Sequence, residues 1–393
     1  MSPRPKKSGK PRAPRGKGAR AKKAPEATAA APESVVPAPE PVLPAAEPAV
    51  PAPDVPAPVV PAAEPVVPVA VMPIRVGLPD EVRSVVAHGK ISQIALSDDG
   101  ELIAIASMSA DRRAPTVAVH RTHDASEVCS YTVETIAGNG KAACFDPHGD
   151  LLFMAGDTLH RLKIGGAPER LGRIDCEAMF RDAAGTRLAL VERSGAVRFV
   201  PADAPLSTDG WRHDAGRGHM TFGTQVRFIG DTSRALIGGL ADHGPLLVDV
   251  AEQKVLREFP HKGACADANP AGDLIVVYEP RGRRDDWFSI FRADAEEPLA
   301  RAKPEIGAAD PIAFAPDGHQ LVKTAAAVTM IDVATGAPSD TRATDAVTGS
   351  THTPALLARH APVIGWTSFN FKVGDFRAYW ARFSTGHPAT AAA

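Results

Sequence analysis

Short apolar runs separated by turns dominate the chain from about residue 90 onward. In IALSDDGELIAIAS (residues 94–107), one apolar run ends at Asp98-Asp99-Gly100 and a second run begins immediately. Asp bonds its own backbone in tight turns and Gly tolerates a positive φ, so this pattern predicts a β-hairpin. The pattern recurs in five further stretches: Ala142–Gly156, Ala178–Val191, Val226–Gly239, Ala266–Tyr278 and Ile312–Thr324. Six copies predict a repeat protein built from β-strands.

The turn glycines are spaced as a four-stranded unit requires. Gly100 and Gly149 are 49 residues apart, Gly149 and Gly185 are 36 apart, and Gly272 and Gly318 are 46 apart. These intervals bracket the ~40–45 residues of a propeller blade. A closed ring also lets a body of this length bury its surface blade against blade. The pattern therefore predicts an all-β propeller over residues 74–383.

Several blades resemble the WD-repeat family. IAFAPDG (residues 312–318) is similar to the Ser-Pro-Asp-Gly turn of that family, and Asp332 and Asp249 stand where its strands end in Trp-Asp. The resemblance implies a seven-bladed β-propeller, with six blades evident and a seventh formed by residues 344–383. It also implies that Glu81–Ala87 is the outer strand of that last blade, which removes an exposed sheet edge. An aromatic cluster would form the core of this closing blade: Trp366, Phe369, Phe371, Phe376, Tyr379, Trp380 and Phe383.

The segments outside the propeller differ sharply in charge. Residues 1–24 contain ten basic side chains, no acidic ones and no Val, Ile, Leu or aromatic residue, which predicts a disordered basic tail. Residues 25–73 contain fifteen prolines and six acids, typical of an extended linker. Residues 384–393 are predicted to be a disordered tail. The body from residue 74 keeps 34 basic and 40 acidic residues.

Cations of two regions are candidate binding residues. Loops between blades, and those joining the second and third strands of a blade, share one face in the WD-repeat topology. The resemblance thus gathers a hypothetical binding face of Lys90, Arg112, Arg113, Lys141, Arg217, Lys262, Arg281, Arg283 and Arg284. Arginine suits bidentate recognition of carboxylate or phosphate, and solvated loops are the alternative interpretation. The tail offers a hypothetical polyanion site of Arg4, Lys6, Lys7, Lys10, Arg12, Arg15, Lys17, Arg20, Lys22 and Lys23.

Catalytic patterns are missing from the sequence. There is no GxSxG nucleophile motif, the thirteen histidines are scattered, and the four cysteines form no CxxC pair. Asp98, Asp99, Asp146, Asp182, Asp231 and Asp317 all occupy hairpin turns, so turn formation explains them better than a carboxylate ring does. No catalytic residue, metal site or cofactor is predicted.

These patterns favour a non-enzymatic interaction scaffold. Its expected partners are proteins on the propeller face and, through the basic tail, non-specific nucleic acid or another polyanion. The lack of a stretch of roughly 18 apolar residues predicts no membrane partner. We expect a monomeric propeller in the cytoplasm, with nucleoid association or a nuclear location as alternatives for the tail. The rival hypothesis is a bacterial propeller enzyme or sensor of the lactonase or quinoprotein type, with a ligand in the central channel. Channel-facing His, Asp or Glu would favour that rival, whereas Ala, Ser and Gly would favour the scaffold.

Overall fold

A computed structural model describes most of the chain from residue 76 onward. The described residues are 76–87, 89–108, 114–133, 142–218, 223–230, 232–278, 288–302, 312–324, 327–343, 356–358, 361–370 and 375–385. The predicted basic tail and linker, residues 1–73, lie outside this part.

Within the described residues, twenty-eight strands form seven antiparallel sheets of four strands each. This is the predicted seven-bladed β-propeller. In one sheet, the first described strand, Val76–Val86, pairs with the last described strand, Asp375–Thr385. The other six sheets each use four consecutive strands.

The strand bounds follow chain order. The chain enters at β1 (Val76–Val86). Blade I comprises β2 (Lys90–Leu96), β3 (Leu102–Met108), β4 (Pro115–Arg121) and β5 (Glu127–Thr132). Blade II comprises β6 (Ala143–Phe145), β7 (Leu151–Ala155), β8 (Thr158–Leu162) and β9 (Pro168–Arg173). Blade III comprises β10 (Ala178–Arg181), β11 (Arg187–Val191), β12 (Ala196–Pro201) and β13 (Trp211–Asp214).

The remaining strands complete the ring. Blade IV comprises β14 (Gln225–Phe228), β15 (Arg234–Gly238), β16 (Leu246–Asp249) and β17 (Lys254–Glu258). Blade V comprises β18 (Cys265–Ala268), β19 (Leu274–Tyr278), β20 (Phe288–Arg292) and β21 (Pro298–Ala302). Blade VI comprises β22 (Ile312–Phe314), β23 (Gln320–Thr324), β24 (Ala327–Asp332) and β25 (Pro338–Ala343). The closing blade comprises β26 (Leu356–Leu357), β27 (Val363–Asn370), β28 (Asp375–Thr385) and β1.

The repeated turns adopt the geometry that the sequence predicts. Gly100, Gly149, Gly185, Gly272 and Gly318 have φ values between +67° and +80°. Each lies in the turn between the first and second strands of its blade. Only glycine reaches this conformation without a steric penalty, so the backbone itself requires glycine there.

The closing blade packs against both of its neighbours. Trp366, Tyr379 and Phe383 are buried with core residues of blade VI. Trp380 is buried on the other side with Ile94 and other residues of blade I. The predicted aromatic core is confirmed for these four residues, while Phe376 is partly buried. The side chain of Phe369 and the whole of Phe371 lie outside what the structure describes. Strand β28 extends to Thr385, two residues past the predicted end of the propeller.

Candidate functional site

The strand order gives the ring two distinct faces. The turns that join strands one and two of a blade, and strands three and four, lie at one end of the strands; we call this end the turn face. The loops that join strands two and three, and one blade to the next, lie at the other end, which we call the loop face. Antiparallel pairing within every blade requires this separation.

The described part of the predicted binding face contains three cations. Lys90, Arg217 and Lys262 are exposed, and none of them forms an ion pair with a described residue. Arg217 and Lys262 lie on either side of the blade IV loop between β15 and β16. The carbonyl oxygen of Arg217 accepts a 2.9 Å bond from the Ala241 amide, and the amide of Gly263 donates to the His243 carbonyl oxygen over 3.2 Å. Lys90 is three blades away around the ring.

The other predicted binding residues cannot be compared with the structure. Six of the loop-face residues and all ten tail cations lie outside the described residues. The six are Arg112, Arg113, Lys141, Arg281, Arg283 and Arg284.

Many arginines on the described ring have carboxylate partners instead. Both Glu192 oxygens are held on the loop face, where Arg198 Nη2 is 2.5 Å from Oε1 and Arg212 Nη2 is 2.8 Å from Oε2. Burial opposes ionisation of Glu192, but hydrogen bonds from Arg212 and Arg198 lower its pKa overall. Two more pairs, Arg193–Asp175 and Arg173–Asp157, join loop-face residues at 3.4 and 3.5 Å.

A cavity of about 480 Å³ occupies the central channel at the turn face. It lies on the ring axis, since all seven blades contribute residues to it at or just after their inner strands. The lining residues are Gln93, Ile94, Ala95, Leu96, Asp98, Ala143, Cys144, Phe145, Met179, Phe180, Arg181, Asp182, Ala183, Val226, Arg227, Phe228, Gly230, Asp267, Ala268, Asn269, Pro270, Pro316 and Ala358.

Gln93 spans three blades inside this channel. Its Nε2 donates to the carbonyl oxygen of Met179 over 2.7 Å. Its Oε1 accepts bonds from the amides of Ala143, at 3.2 Å, and Met179, at 3.4 Å. One amide side chain of blade I thus satisfies backbone groups of blades II and III, which fixes the inner strands relative to one another.

Arg181 forms a second connection across the channel. It ends the inner strand of blade III, and its Nη2 pairs with Oδ1 of Asp98 in the turn of blade I. The Arg181 side chain is only 8% exposed. Its Nη1 is buried and has no hydrogen-bond partner among the described residues.

Asp267 and Arg227 form the third charged contact of the channel. Arg227 Nε lies 3.5 Å from Oδ1 of Asp267, and Oδ2 accepts a 2.9 Å bond from the Phe314 amide. Burial raises the pKa of Asp267 even though Arg227 opposes that shift.

The turn role predicted for the aspartates is confirmed where the structure describes it. Asp146 Oδ1 accepts amide bonds from His148 and Asp150, at 2.8 and 3.0 Å. The carboxylates of Asp99, Asp182 and Asp317 likewise accept bonds from backbone amides of their own turns. Asp98 also lies in a turn, but its carboxylate pairs with Arg181. Asp231 lies outside the described residues.

The three buried cysteines are poor nucleophiles. Cys144, Cys176 and Cys265 are buried, and burial raises the pKa of Cys144 and of Cys265 to about 12. Burial raises the pKa of Cys176 still further. In the part of the chain that the structure covers, no group of three or more His, Cys, Asp or Glu could hold a metal ion.

The sequence pattern did not single out the polar residues of the channel as candidate site residues. Gln93, Arg181, Arg227 and Asp267 interrupt the apolar runs of the inner strands. A charged residue inside an otherwise apolar inner strand is the signal that could have identified them, because such a residue needs a partner when it is buried.

No protein-family model matches this chain, and a search of curated proteins finds no match. No described helix is long and apolar enough to cross a membrane. The WD-repeat resemblance therefore rests on the turn motifs and on the way in which the ring closes.

Proposed function

We propose that this protein is a non-enzymatic interaction scaffold of the WD-repeat type, which binds an acidic protein surface on its loop face. The observation that carries the proposal is the pair Arg217 and Lys262. Both are exposed beside the blade IV loop without a carboxylate partner among the described residues, whereas nearby arginines such as Arg193 and Arg212 are paired. Exposed, unneutralised cations favour an anionic partner by steering its approach.

The other potentially reactive groups already take part in structural interactions or are protonated, which supports the scaffold interpretation. Asp146 and Asp182 are committed to their own turns, and Glu192 is held between two arginines. The buried thiols of Cys144 and Cys265 stay protonated at neutral pH, because their pKa values are raised to about 12. These groups stabilise blades and would need to break structural contacts in order to react.

The basic tail would add a second, electrostatic contact. Residues 1–24 contain ten cations and no aromatic side chain that could stack on bases. Binding to nucleic acid would then be independent of sequence and would weaken steeply with salt. Titrating duplex DNA at two salt concentrations, with the full chain and with residues 25–393, tests this part: equal binding by the two chains contradicts it.

The loop-face contact is tested with a charge-reversal pair. Arg217→Glu and Lys262→Glu together should weaken binding to the partner, which affinity purification with residues 74–393 would supply, by about tenfold or more. A matched control, Arg121→Glu with Arg234→Glu, makes the same charge change on the turn face, where both arginines are exposed. Equal affinity of the two double variants in a titration with the purified partner would reject the proposed face.

A sensor with a ligand in the channel is the second candidate. The cavity of about 480 Å³ on the ring axis favours it, and the channel lining is mixed. It contains the carboxylates of Asp98, Asp182 and Asp267, which favour a ligand site, and alanines such as Ala95 and Ala143, which favour a scaffold. Each of these carboxylates is bonded within the protein, so the cavity supports ligand binding better than it supports catalysis.

A further inference from the structure

Three histidines lie around the blade IV loop that separates the two loop-face cations. His243 belongs to the loop itself, and its side chain is 53% exposed. His213 lies on the outer strand of blade III and His261 on the connection from blade IV to blade V, and both are half-buried. Histidine changes its charge between about pH 5 and pH 8, so the charge of this part of the loop face depends on pH.

Contacts on both sides fix the position of His243 between the two cation-bearing segments. The amide of Gly263, next to Lys262, donates to the His243 carbonyl oxygen over 3.2 Å. On the other side, a Cβ atom placed on Gly216, next to Arg217, would lie 3.9 Å from Cδ2 of the His243 ring. The imidazole therefore belongs to the same small surface as the two exposed cations.

A carboxylate faces the same imidazole. Oε1 of Glu258, on β17, lies 3.6 Å from Nδ1 of His243 and accepts a 3.1 Å bond from the amide of Gly244, which holds it in place. The Glu258 side chain is 52% exposed, so its negative charge is open to solvent beside the cations. While His243 is neutral, Glu258 repels an acidic partner; once His243 is protonated, the two side chains form an ion pair.

The other titratable groups around the loop leave His243 as the group that responds first. Burial lowers the pKa of His213; Asp214 opposes this shift, and the neighbouring His243 adds to it. His213 therefore stays neutral to a lower pH than an exposed histidine does. His261 is half-buried, and Asp242 is exposed next to His243 in the loop. An aspartate is ionised throughout this pH range, so it adds no pH dependence of its own.

We propose that the loop face binds its acidic partner in a pH-dependent way: protonation of His243 cancels the charge of Glu258 and leaves Arg217 and Lys262 as the dominant charges, so affinity rises as the pH falls. This inference rests on the proposed function, because it concerns the regulation of the same face. The coupling is reciprocal, since a partner that prefers the protonated site also favours its protonation.

A rhodamine-labelled deca-aspartate peptide serves as the probe. Fluorescence anisotropy measures its affinity for the full chain at about pH 7.5 and about pH 5.5, on either side of the usual titration of histidine. The carboxylates of the peptide stay ionised at both values, and so do the Lys and Arg side chains of the protein, including those of the basic tail. The double variant Arg217→Glu with Lys262→Glu measures the binding that occurs outside the loop face. The unaltered protein should bind the peptide about threefold more tightly at the lower pH.

Two single exchanges locate the effect. His243→Asn should remove most of the increase and leave the affinity at the higher pH nearly unchanged. Glu258→Gln keeps an acceptor for the Gly244 amide but removes the charge, so it should bind about threefold more tightly at the higher pH and respond little to acid. His319→Asn and Glu297→Gln make the same exchanges at exposed positions of the turn face and should behave like the unaltered protein. Circular dichroism verifies each fold, and either exchange decides if the other variant does not fold.

Three results would overturn the inference. They are equal affinities of the unaltered protein at the two pH values, the same increase in His243→Asn as in His319→Asn, and no tighter binding by Glu258→Gln than by Glu297→Gln at the higher pH. If the double charge reversal weakens binding but one of these results is found, only the pH dependence is rejected. If the double charge reversal leaves binding unchanged at both pH values, the proposed binding face is wrong and the inference fails with it.

Discussion

The closing blade and blade III are both four-stranded antiparallel sheets, but different interactions hold them together. Blade III uses four consecutive strands, and its first turn is fixed by Asp182, which accepts amide bonds of 2.8 and 2.9 Å from Thr186 and Arg187. The closing blade joins β1 to β28, nearly 300 residues later in the chain, and has no aspartate in its first described turn. It relies instead on buried aromatic residues and long strands.

The difference follows from how far apart in the chain the paired strands of each blade lie. A blade made of consecutive strands forms from local hairpins, so short polar turns are enough to set its register. The closing blade must bring the ends of the propeller together, which costs more chain entropy. Burying Trp366, Trp380 and Tyr379 at 0–2% exposure offsets that cost through apolar burial.

Of the changes considered, removing β1 should cause the largest loss of stability. A chain that begins at Ala87 lacks the outer strand of the closing blade and exposes the edge of β28, so we expect loss of the cooperative unfolding transition of the whole ring. A chain that begins at Ile74 keeps β1 and should melt like the full chain. Thermal unfolding followed by circular dichroism makes the comparison.

Thiol labelling shows whether that loss is global. Cys144 is buried in blade II and Cys176 in the connection from blade II to blade III, both away from the closing blade. In the chain that begins at Ala87 they should react with a thiol reagent, whereas in the chain that begins at Ile74 they should not. If they stay protected in both, the damage is confined to one blade and the ring does not depend on its closure.

Replacing Trp380 should have the next largest effect. Trp380 is 1% exposed, packs against blade I and donates from Nε1 to the carbonyl oxygen of Thr122 over 2.7 Å. Trp380→Ala should lower the free energy of unfolding by about 3–5 kcal/mol. Trp380→Phe should lower it by about 1–2 kcal/mol, largely through the lost hydrogen bond. Urea unfolding measures both changes.

The matched control for Trp380 is the tryptophan of blade III. Trp211 is half-buried on the outer strand and stacks on Phe199 at 5.4 Å between ring centroids. Trp211→Ala should cost clearly less stability than Trp380→Ala. Equal losses would mean that the aromatic residues of the closing blade are not specially important.

Asp182→Ala should have an intermediate effect that depends on pH. Burial opposes ionisation of Asp182, but hydrogen bonds from Arg187 and Thr186 outweigh it and lower the pKa below its ordinary value of 3.8. A lowered pKa stabilises the fold above the ordinary value, and that stability is lost as the pH falls through the folded-state pKa. At pH 7 the variant should be destabilised by about 1–3 kcal/mol, with a smaller difference near pH 3.

Urea unfolding at the two pH values checks this prediction. Asp317→Ala is the control, because Asp317 forms the corresponding turn of blade VI and is less buried. A destabilisation by Asp182→Ala that does not shrink on acidification would contradict the role of the ionised carboxylate.

The loop-face cations should have the smallest effect on stability. Arg217 and Lys262 are exposed, and they belong neither to the aspartate turns nor to the aromatic core of the closing blade. Replacing both by Glu should change the free energy of unfolding by less than about 0.5 kcal/mol. A thermal melt of the double variant beside the unaltered protein measures it, and a large drop would show that these residues hold blades together.

Much of the fold was predictable because it depends on local chemistry. An aspartate one to three residues before a glycine predicts a hairpin turn, and Gly185 and Gly318 adopt the positive φ that this pattern requires. The closing strand at 81–87 was predicted only through the WD-repeat resemblance, since nothing local to those residues indicates a partner so far along the chain.

The candidate channel site was not predictable in the same way. Gln93 and Arg181 lie in sequence segments that read as ordinary strands, and their bonds join residues 86 and 83 positions apart. Contacts over such separations depend on how the blades are arranged around the axis. Sequence periodicity describes single strands and hairpins and carries no information on that arrangement.

The sequence by itself determined the blades, because alternating apolar runs and Asp-Gly turns fix local backbone geometry without help from distant residues. Only the tertiary structure decided which charged residues neutralise one another. Asp98 could be identified as a turn residue from its neighbours, but its pairing with Arg181 exists only because ring closure brings blades I and III to one axis. Burial then raises the energetic importance of that pair, since a buried charge must find its partner inside the protein.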